Sequence, residues 1–125
     1  MSKDELNYDG LMQANLSRIF GEADVHARGR AIAEIYAPDA VLYEPDHIAT
    51  GHAEIIETID KLMKSFPPGF GFAAEGAAIG HHGLGRLRWS GGVPGSPKAV
   101  TGTDVVRFEG DRIKTIHVFI DPPAA

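Results

Sequence analysis

Apolar side chains recur at helical spacing along the first half of the chain and at strand spacing along the second. Around Tyr8 to Phe20, the residues Met12, Leu16, Ile19 and Phe20 share one helical face, and Gly21 ends the run. Around Asp24 to Tyr36, Ala27, Ala31, Ile32, Ile35 and Tyr36 repeat the pattern up to Pro38. A short strand, Ala40 to Glu44, is closed by Pro45. Ile55, Ile59, Leu62, Met63 and Phe66 then form one stripe, which predicts a third helix from Gly51 to Phe66. Thr50 is its expected N-cap, and Pro67-Pro68 stops it.

From Gly69 the period changes. Gly69 to Gly80 carries Phe70, Phe72 and Ile79 and reads as a strand, although it is rich in Ala and Gly. Leu84 to Ser90 alternates Arg86 and Arg88 with Leu87 and Trp89, giving one wet and one dry face. Gly91 to Pro97 is loop. Ala99 to Phe108 and Ile113 to Ile120 then flank Glu-Gly-Asp-Arg, a hairpin whose Gly110 suits the first central position of a type II′ turn. That turn pairs Glu109 with Arg112, Phe108 with Ile113, Val106 with Thr115 and Asp104 with His117. Opposed residues share a face of the sheet, so a carboxylate is expected beside an imidazole on a buried surface. A slip of one residue would separate them. Three helices, one early strand and four late strands make an α+β fold, with the helices on one face of a mostly antiparallel sheet. No repeat or linker divides the chain, so one domain is expected over 1–125, with an ordered core from about 7 to 121.

Composition narrows the function classes. A 125-residue chain that is 43% hydrophobic can bury a real core. Its net charge of −5, with no cluster of basic residues, disfavours nucleic-acid binding. The absence of cysteine excludes disulfides and thiolate metal sites. No apolar run is long enough for a membrane span, and the polar start, Met1-Ser-Lys-Asp-Glu5, lacks the apolar stretch of a signal peptide. A cytoplasmic location is therefore expected. His47 and His52 lack the spacing of a helical zinc pair. The glycines around His81-His82 join two strands and open no helix, so they form no phosphate loop. No Gly-x-Ser-x-Gly elbow occurs. Neither a metal nor a cofactor is expected.

The order of two helices, Tyr36-Ala-Pro-Asp-Ala-Val-Leu-Tyr-Glu-Pro45, Gly51-His-Ala-Glu-Ile55 opening a helix, Gly102-Thr-Asp-Val-Val-Arg-Phe-Glu-Gly-Asp-Arg-Ile113 and Phe119-Ile-Asp121 resembles the nuclear-transport-factor-two-like superfamily. Within it the chain looks most like SnoaL-like polyketide cyclases and ketosteroid isomerases, from about Leu11 to Asp121. The resemblance implies a cone: a curved mixed, mostly antiparallel sheet wrapped around helices (a cystatin-like α+β barrel), with an apolar pocket open at one end. It also implies a homodimer. Ketosteroid isomerases place their base in the early strand before a proline, after an Asp-Ala pair. Asp39-Ala40 and Pro45 match, and Glu44 stands at the base position. Their protonated acid opens an Asp-x-x-Arg-Phe segment, matched by Asp104-Val-Val-Arg107-Phe108. Their helical tyrosine has no counterpart; Asn15 and Arg18 stand nearest.

The residues expected to carry chemistry are therefore Glu44, Asp104 and His117. Asn15, Tyr43, Met63, Trp89, Val106, Phe119 and Asp121 are expected to line the pocket. A carboxylate in an apolar pocket gains basicity, and a second, protonated acid can hydrogen-bond a developing enolate. The expected function is cofactor-independent proton transfer (isomerisation, aldol cyclisation or dehydration) on a small apolar carbonyl compound. The alternative is a non-catalytic small-ligand-binding or dimerisation module of the same fold.

Overall fold

The computed structural model describes residues 6–122. The polar start from Met1 to Glu5, on which the signal-peptide argument rests, lies outside the described residues. Helix α1 (Tyr8–Asn15) opens where the Asn7 side chain accepts a hydrogen bond from the Gly10 N–H at 2.9 Å. It runs into one π-helical turn, Leu16–Phe20, closed by the Gly21 N–H on the Leu16 carbonyl at 2.8 Å. A Cβ at position 21 would meet the Ser17 carbonyl oxygen at 2.7 Å, so only glycine permits this tight exit. Helix α2 (Val25–Ile35) is capped by Asp24, whose carboxylate accepts from the His26 N–H at 3.1 Å. Helix α3 (Gly51–Lys64) begins after Thr50, but the threonine hydroxyl makes no capping bond; instead Glu54 Oε1 accepts from the Thr50 N–H at 3.0 Å.

Strand β1 (Tyr36–Glu44) is longer than the sequence pattern suggests. Pro38 disfavours helical geometry at Ala37, so the chain leaves α2 at Ile35 and Tyr36 becomes the first strand residue. A short β2 (His47–Thr50), which the sequence does not announce, folds back on β1. The stretch expected as one strand over 69–80 divides into β3 (Gly71–Ala74) and β4 (Ile79–His81). Strands β5 (Leu84–Gly92), β6 (Val100–Glu109) and β7 (Arg112–Ile120) complete a seven-stranded sheet. Its order is β2-β1-β7-β6-β5-β3, with β4 also on β5; only β1 and β7 run parallel.

The helices cover one face of this curved, mostly antiparallel sheet. Ile19, Ile32, Ile55 and Ile59 from the helical layer meet Leu42, Leu87, Val106 and Ile116 from the strands in one buried core. Arg28 crosses between helices: its side chain is 4% exposed, and its guanidinium donates to Asp60 Oδ1 at 2.9 Å and ties α2 to α3. Among the described residues no helix is long and apolar enough to cross a membrane.

The last hairpin departs from expectation in one residue. Glu109 pairs with Arg112 and Phe108 with Ile113, as the turn at Gly110 (φ +62°) dictates. The next pair is Arg107 with Thr115, so Lys114 is an extra residue in β7. The bulge aims its ammonium at Asp39 Oδ2, 2.5 Å away, on a β1 whose own register against β7 also shifts between Tyr36 and Val41. Beyond the bulge Asp104 faces Val118, and His117 faces Val105. Asp104 and His117 therefore lie on opposite faces of the sheet, and the expected acid–imidazole pair does not form.

Candidate functional site

Alternation along β5 and β6 turns Trp89 and Asp104 to the face covered by helices. Trp89 lies opposite Gly102 in the ladder. A Cβ at position 102 would meet the indole Cζ2 at 2.5 Å, so the glycine is what lets the ring lie across β6. Its Nε1–H then donates to Asp104 Oδ1 at 3.0 Å. Both residues are buried, Trp89 at 5% and Asp104 at 4% exposure. Burial pushes the Asp104 carboxyl up to about 7, because a charge here has lost its water; the indole hydrogen bond offsets only part of this.

Asp104 and Trp89 border a cavity of about 240 Å³. Its walls are otherwise apolar apart from Glu44: Leu16 and Phe20 from the π-helical turn, Leu62 and Phe66 from α3, Phe72 from β3, Val100 from β6, and Val118 and Ile120 from β7. Glu44 enters from the end of β1. It is half-buried, and burial first, then the Asp46 carboxylate, raises its pKa, while His47 acts the other way. Two acids thus border one apolar cavity, each biased toward its neutral form.

A second polar pair lies deeper. The Tyr36 hydroxyl donates to Asn15 Oδ1 at 2.8 Å, and both residues are buried. Burial and, next, the charge of Asp104 raise the Tyr36 pKa, so the phenol stays a donor. Tyr36 escaped the sequence reading because it continues the apolar stripe of α2; Pro38 was the available signal that it belongs to the sheet.

Several expected pocket residues stand elsewhere. Tyr43, His117 and Phe119 occupy the outer face, where the imidazole stacks on Tyr43 with centroids 4.4 Å apart and on Phe119 at 6.4 Å. The bulge at Lys114 is the cause: it turns Val118 and Ile120 inward in place of His117 and Phe119. Val106 points inward but is fully buried in the core. Met63 packs against the core's margin, and the cavity wall from α3 comes from Leu62 and Phe66. Asp121 Oδ2 accepts from Arg88 at 2.9 Å and from the Thr101 hydroxyl at 2.7 Å, which holds its carboxyl below the usual range. Asn15 precedes the cavity-lining Leu16 and meets Tyr36 rather than the cavity walls. Among the described residues no group of three His, Cys, Asp or Glu is placed to hold a metal ion.

The model of the SnoaL-like domain matches residues 16–116, most of the chain. The protein belongs to the SnoaL-like domain family. A candidate isomerase of that family from Agrobacterium tumefaciens superposes with a TM-score of 0.84 at 25% identity, over 92% of this chain and 97% of the other. A candidate ketosteroid isomerase from Kribbella flavida gives 0.72 at 14% identity, over 100% and 87%. A candidate polyketide cyclase from Sinorhizobium meliloti gives 0.64 at 22% identity, over 87% and 93%. No curated protein matches the sequence. At such identities the last two establish the fold alone. The SnoaL-like fold is thus the shared element, and its chemistry must be argued from the cavity.

Proposed function

We propose that this SnoaL-like protein is a cofactor-independent proton-transfer enzyme for a small apolar carbonyl compound. The observation that carries the reading is Asp104: a carboxyl buried in an apolar cavity, held through one oxygen by an indole N–H, and protonated to near neutral pH. The names of the relatives, isomerase and polyketide cyclase, agree with it.

In the reaction, Glu44 as carboxylate takes a proton from the carbon beside the substrate carbonyl. The released electron pair moves onto the carbonyl oxygen, and the neutral Asp104 carboxyl donates a hydrogen bond to that enolate oxygen. Return of the proton from Glu44 to a more distant carbon completes an isomerisation; in an aldol closure the enolate carbon bonds to a second carbonyl carbon, whose oxygen becomes an alkoxide and takes the proton back from Glu44. Trp89 keeps Asp104 turned so that its other oxygen remains for the substrate. The dry walls keep the hydrogen bond strong, since water does not compete for it.

Deuterium exchange tests this without knowledge of the natural substrate. In D₂O, the protein is expected to accelerate loss of the α-proton NMR signals of cyclohexanone and cyclohex-2-enone, and E44Q to lose the acceleration. Exchange no faster than with E44Q, together with quenching of Trp89 fluorescence by the same ketones, would replace the enzyme by a ligand-binding module.

The outer face fits a second copy of the chain. Ile48 and Phe119, 58% and 56% exposed, lie at the two ends of a row through Tyr43 and His117, each beside the next in the sheet or by ring stacking. An apolar row on an exposed sheet face is costly to leave in water. Sedimentation is expected to show a homodimer that F119E dissociates; a wild-type monomer at high micromolar concentration would remove this part.

A further inference from the structure

The 240 Å³ chamber is smaller than the roughly 300–1,000 Å³ of ordinary small-molecule sites. Glu44 and Leu62 also line a second, more open cavity of about 520 Å³, which runs between the start of β2 and the outward side of α3. The two cavities therefore adjoin, with one acidic and one apolar side chain standing between them. Their linings differ in kind. The inner chamber holds hydrophobic walls and two acids; the outer groove is lined by His47, Glu54, Glu57, Thr58, Lys61 and Ser65 besides the shared pair.

The groove also has a sign. Glu44, Glu54 and Glu57 line it against one lysine, and that lysine is already paired with Glu57 at 2.9 Å. His47 Nε2 is engaged with the Thr58 hydroxyl at 3.1 Å. An anionic group entering here would meet surplus carboxylate and find its one cation occupied. A hydroxyl or ammonium group would meet acceptors. The groove is open to solvent, so the discrimination is moderated by screening.

We propose that the substrate has two parts: a compact apolar, carbonyl-bearing head that fills the chamber, and a hydrogen-bond-donating, non-anionic tail that passes Glu44 into the groove along α3. This rests on the proton-transfer reading for the identity of the head, but the tail is argued from the groove alone. The shape also assigns Glu44 a second duty, since the acid at the neck touches the point where head becomes tail.

The chain's single tryptophan is a wall of the chamber, so its fluorescence reports occupancy directly. Titrations would use cyclohex-2-enone bare and with a short hydroxyalkyl, aminoalkyl or carboxyalkyl tail at the ring position opposite the carbonyl. The hydroxyalkyl and aminoalkyl compounds are expected to bind at least several-fold more tightly than the bare ring, and the carboxyalkyl compound more weakly than either. E57K, at an exposed position, is expected to narrow or invert the order of the amino and carboxy tails and to leave the bare ring unchanged. Equal affinity for all four compounds would overturn the two-part substrate while leaving the chamber reading intact. An E57K effect equal on all four would do the same. Absence of quenching by every compound would overturn both. A hydroxyl preferred over an ammonium, or the reverse, selects between the two donor chemistries within the proposal.

Discussion

Asp104 and Asp121 are the same residue type on two faces of one sheet, and their surroundings drive them in opposite directions. Asp104, on the inner face, has lost its water and has one neutral donor, so its proton is held to about pH 7. Asp121, beside the outer face, has Arg88 and Thr101 as partners and loses its proton more readily than an ordinary aspartate. The difference is not in the residues but in what each strand face meets. Inside, no cation offsets the lost hydration; outside, a guanidinium and water do. A carboxyl that stays neutral near physiological pH is a hydrogen-bond donor, and one that is ion-paired at the surface is a strut. A neutral hydrogen-bond donor and an ion-paired strut are thus separated within one sheet.

The largest expected effect breaks the comparison at its inner end. Replacing Asp104 by Ala removes the enolate's donor and is expected to lower ketone exchange by about 10²–10⁴-fold, the usual scale of a positioned acid or base. Replacing Asp121 by Ala removes a surface ion pair worth about 0–1 kcal/mol and is expected to leave exchange within a few-fold of wild type. Similar losses in both variants would mean that the two carboxyls do not differ in kind. D104N sharpens the point. Wild-type exchange should fall as pH rises through about 7, where Asp104 gives up its proton, and should rise at lower pH as Glu44 ionises, above the ordinary glutamate range. The side-chain amide that D104N introduces keeps a donor at every pH, so the decline near 7 should vanish while some activity remains.

The same burial has a cost in stability, and its sign can be worked out. The folded-state pKa of Asp104 is raised, so the native state binds the proton more tightly than the unfolded chain does. Its contribution favours folding fully below the unfolded value near 3.8, falls as pH rises, and is lost above about 7. The span corresponds to a few kcal/mol, on the order of 4. D104N has no such titration. It is therefore expected to melt higher than wild type at pH 8, with the gap shrinking steadily toward pH 4. Parallel melting curves across that range would show that Asp104 titrates as an ordinary surface acid.

Much of the architecture was legible because it is written in periods. The stripe of Ile55, Ile59 and Leu62 specifies α3, and the alternation of Leu87 and Trp89 with Arg86 and Arg88 specifies the two faces of β5. Asp104 stands out in the sequence as a carboxylate inside an apolar strand and Glu44 through resemblance, and both line the cavity wall. What escaped was local and one residue in size. Nothing in Ile113-Lys-Thr-Ile-His marks Lys114 as a bulge, because the cause is a distant partner: Asp39 and the irregular start of β1, against which β7 must run in parallel. That single residue exchanged the faces of His117, Phe119, Val118 and Ile120. Tyr36 was hidden for a related reason, since a tyrosine serves a helix stripe or a strand equally well until Pro38 is weighed.

A smaller effect tests how the inner face is built. G102A adds one methyl group against the indole of Trp89 and the Phe119 carbonyl. Overpacking of this sort costs about 1–3 kcal/mol, and the ring has to move from its seat over β6. The indole N–H would then leave Asp104. Loss of a donor to the charged form should raise the Asp104 pKa further, so the alkaline decline of exchange moves above 7. W89F removes the same donor without the added methyl, and is expected to move the decline in the same direction with less loss of stability. If G102A moved the melting temperature but left the profile in place, Trp89 would be packing only.

The smallest effect concerns His117. In a hairpin without the bulge at Lys114, its imidazole would lie beside Asp104, and removing it would shift the acid's titration. In the register observed, the ring stacks on Tyr43 outside the sheet, with the strand backbone between it and the acid. H117A is therefore expected to leave the Asp104 titration, followed by carboxyl carbon NMR, where it is in wild type, and to leave ketone exchange unchanged. The loss of stacking should cost about 0.5–1.5 kcal/mol at most, and the exposure of the site favours the lower end. Because His117 belongs to the row between Ile48 and Phe119, the variant should act on self-association instead, weakening the dimer less than F119E does. A shifted Asp104 titration in H117A would restore the acid–imidazole pair. It would also require β7 to slip by one residue, which amide exchange along Thr115 to Ile120 would reveal.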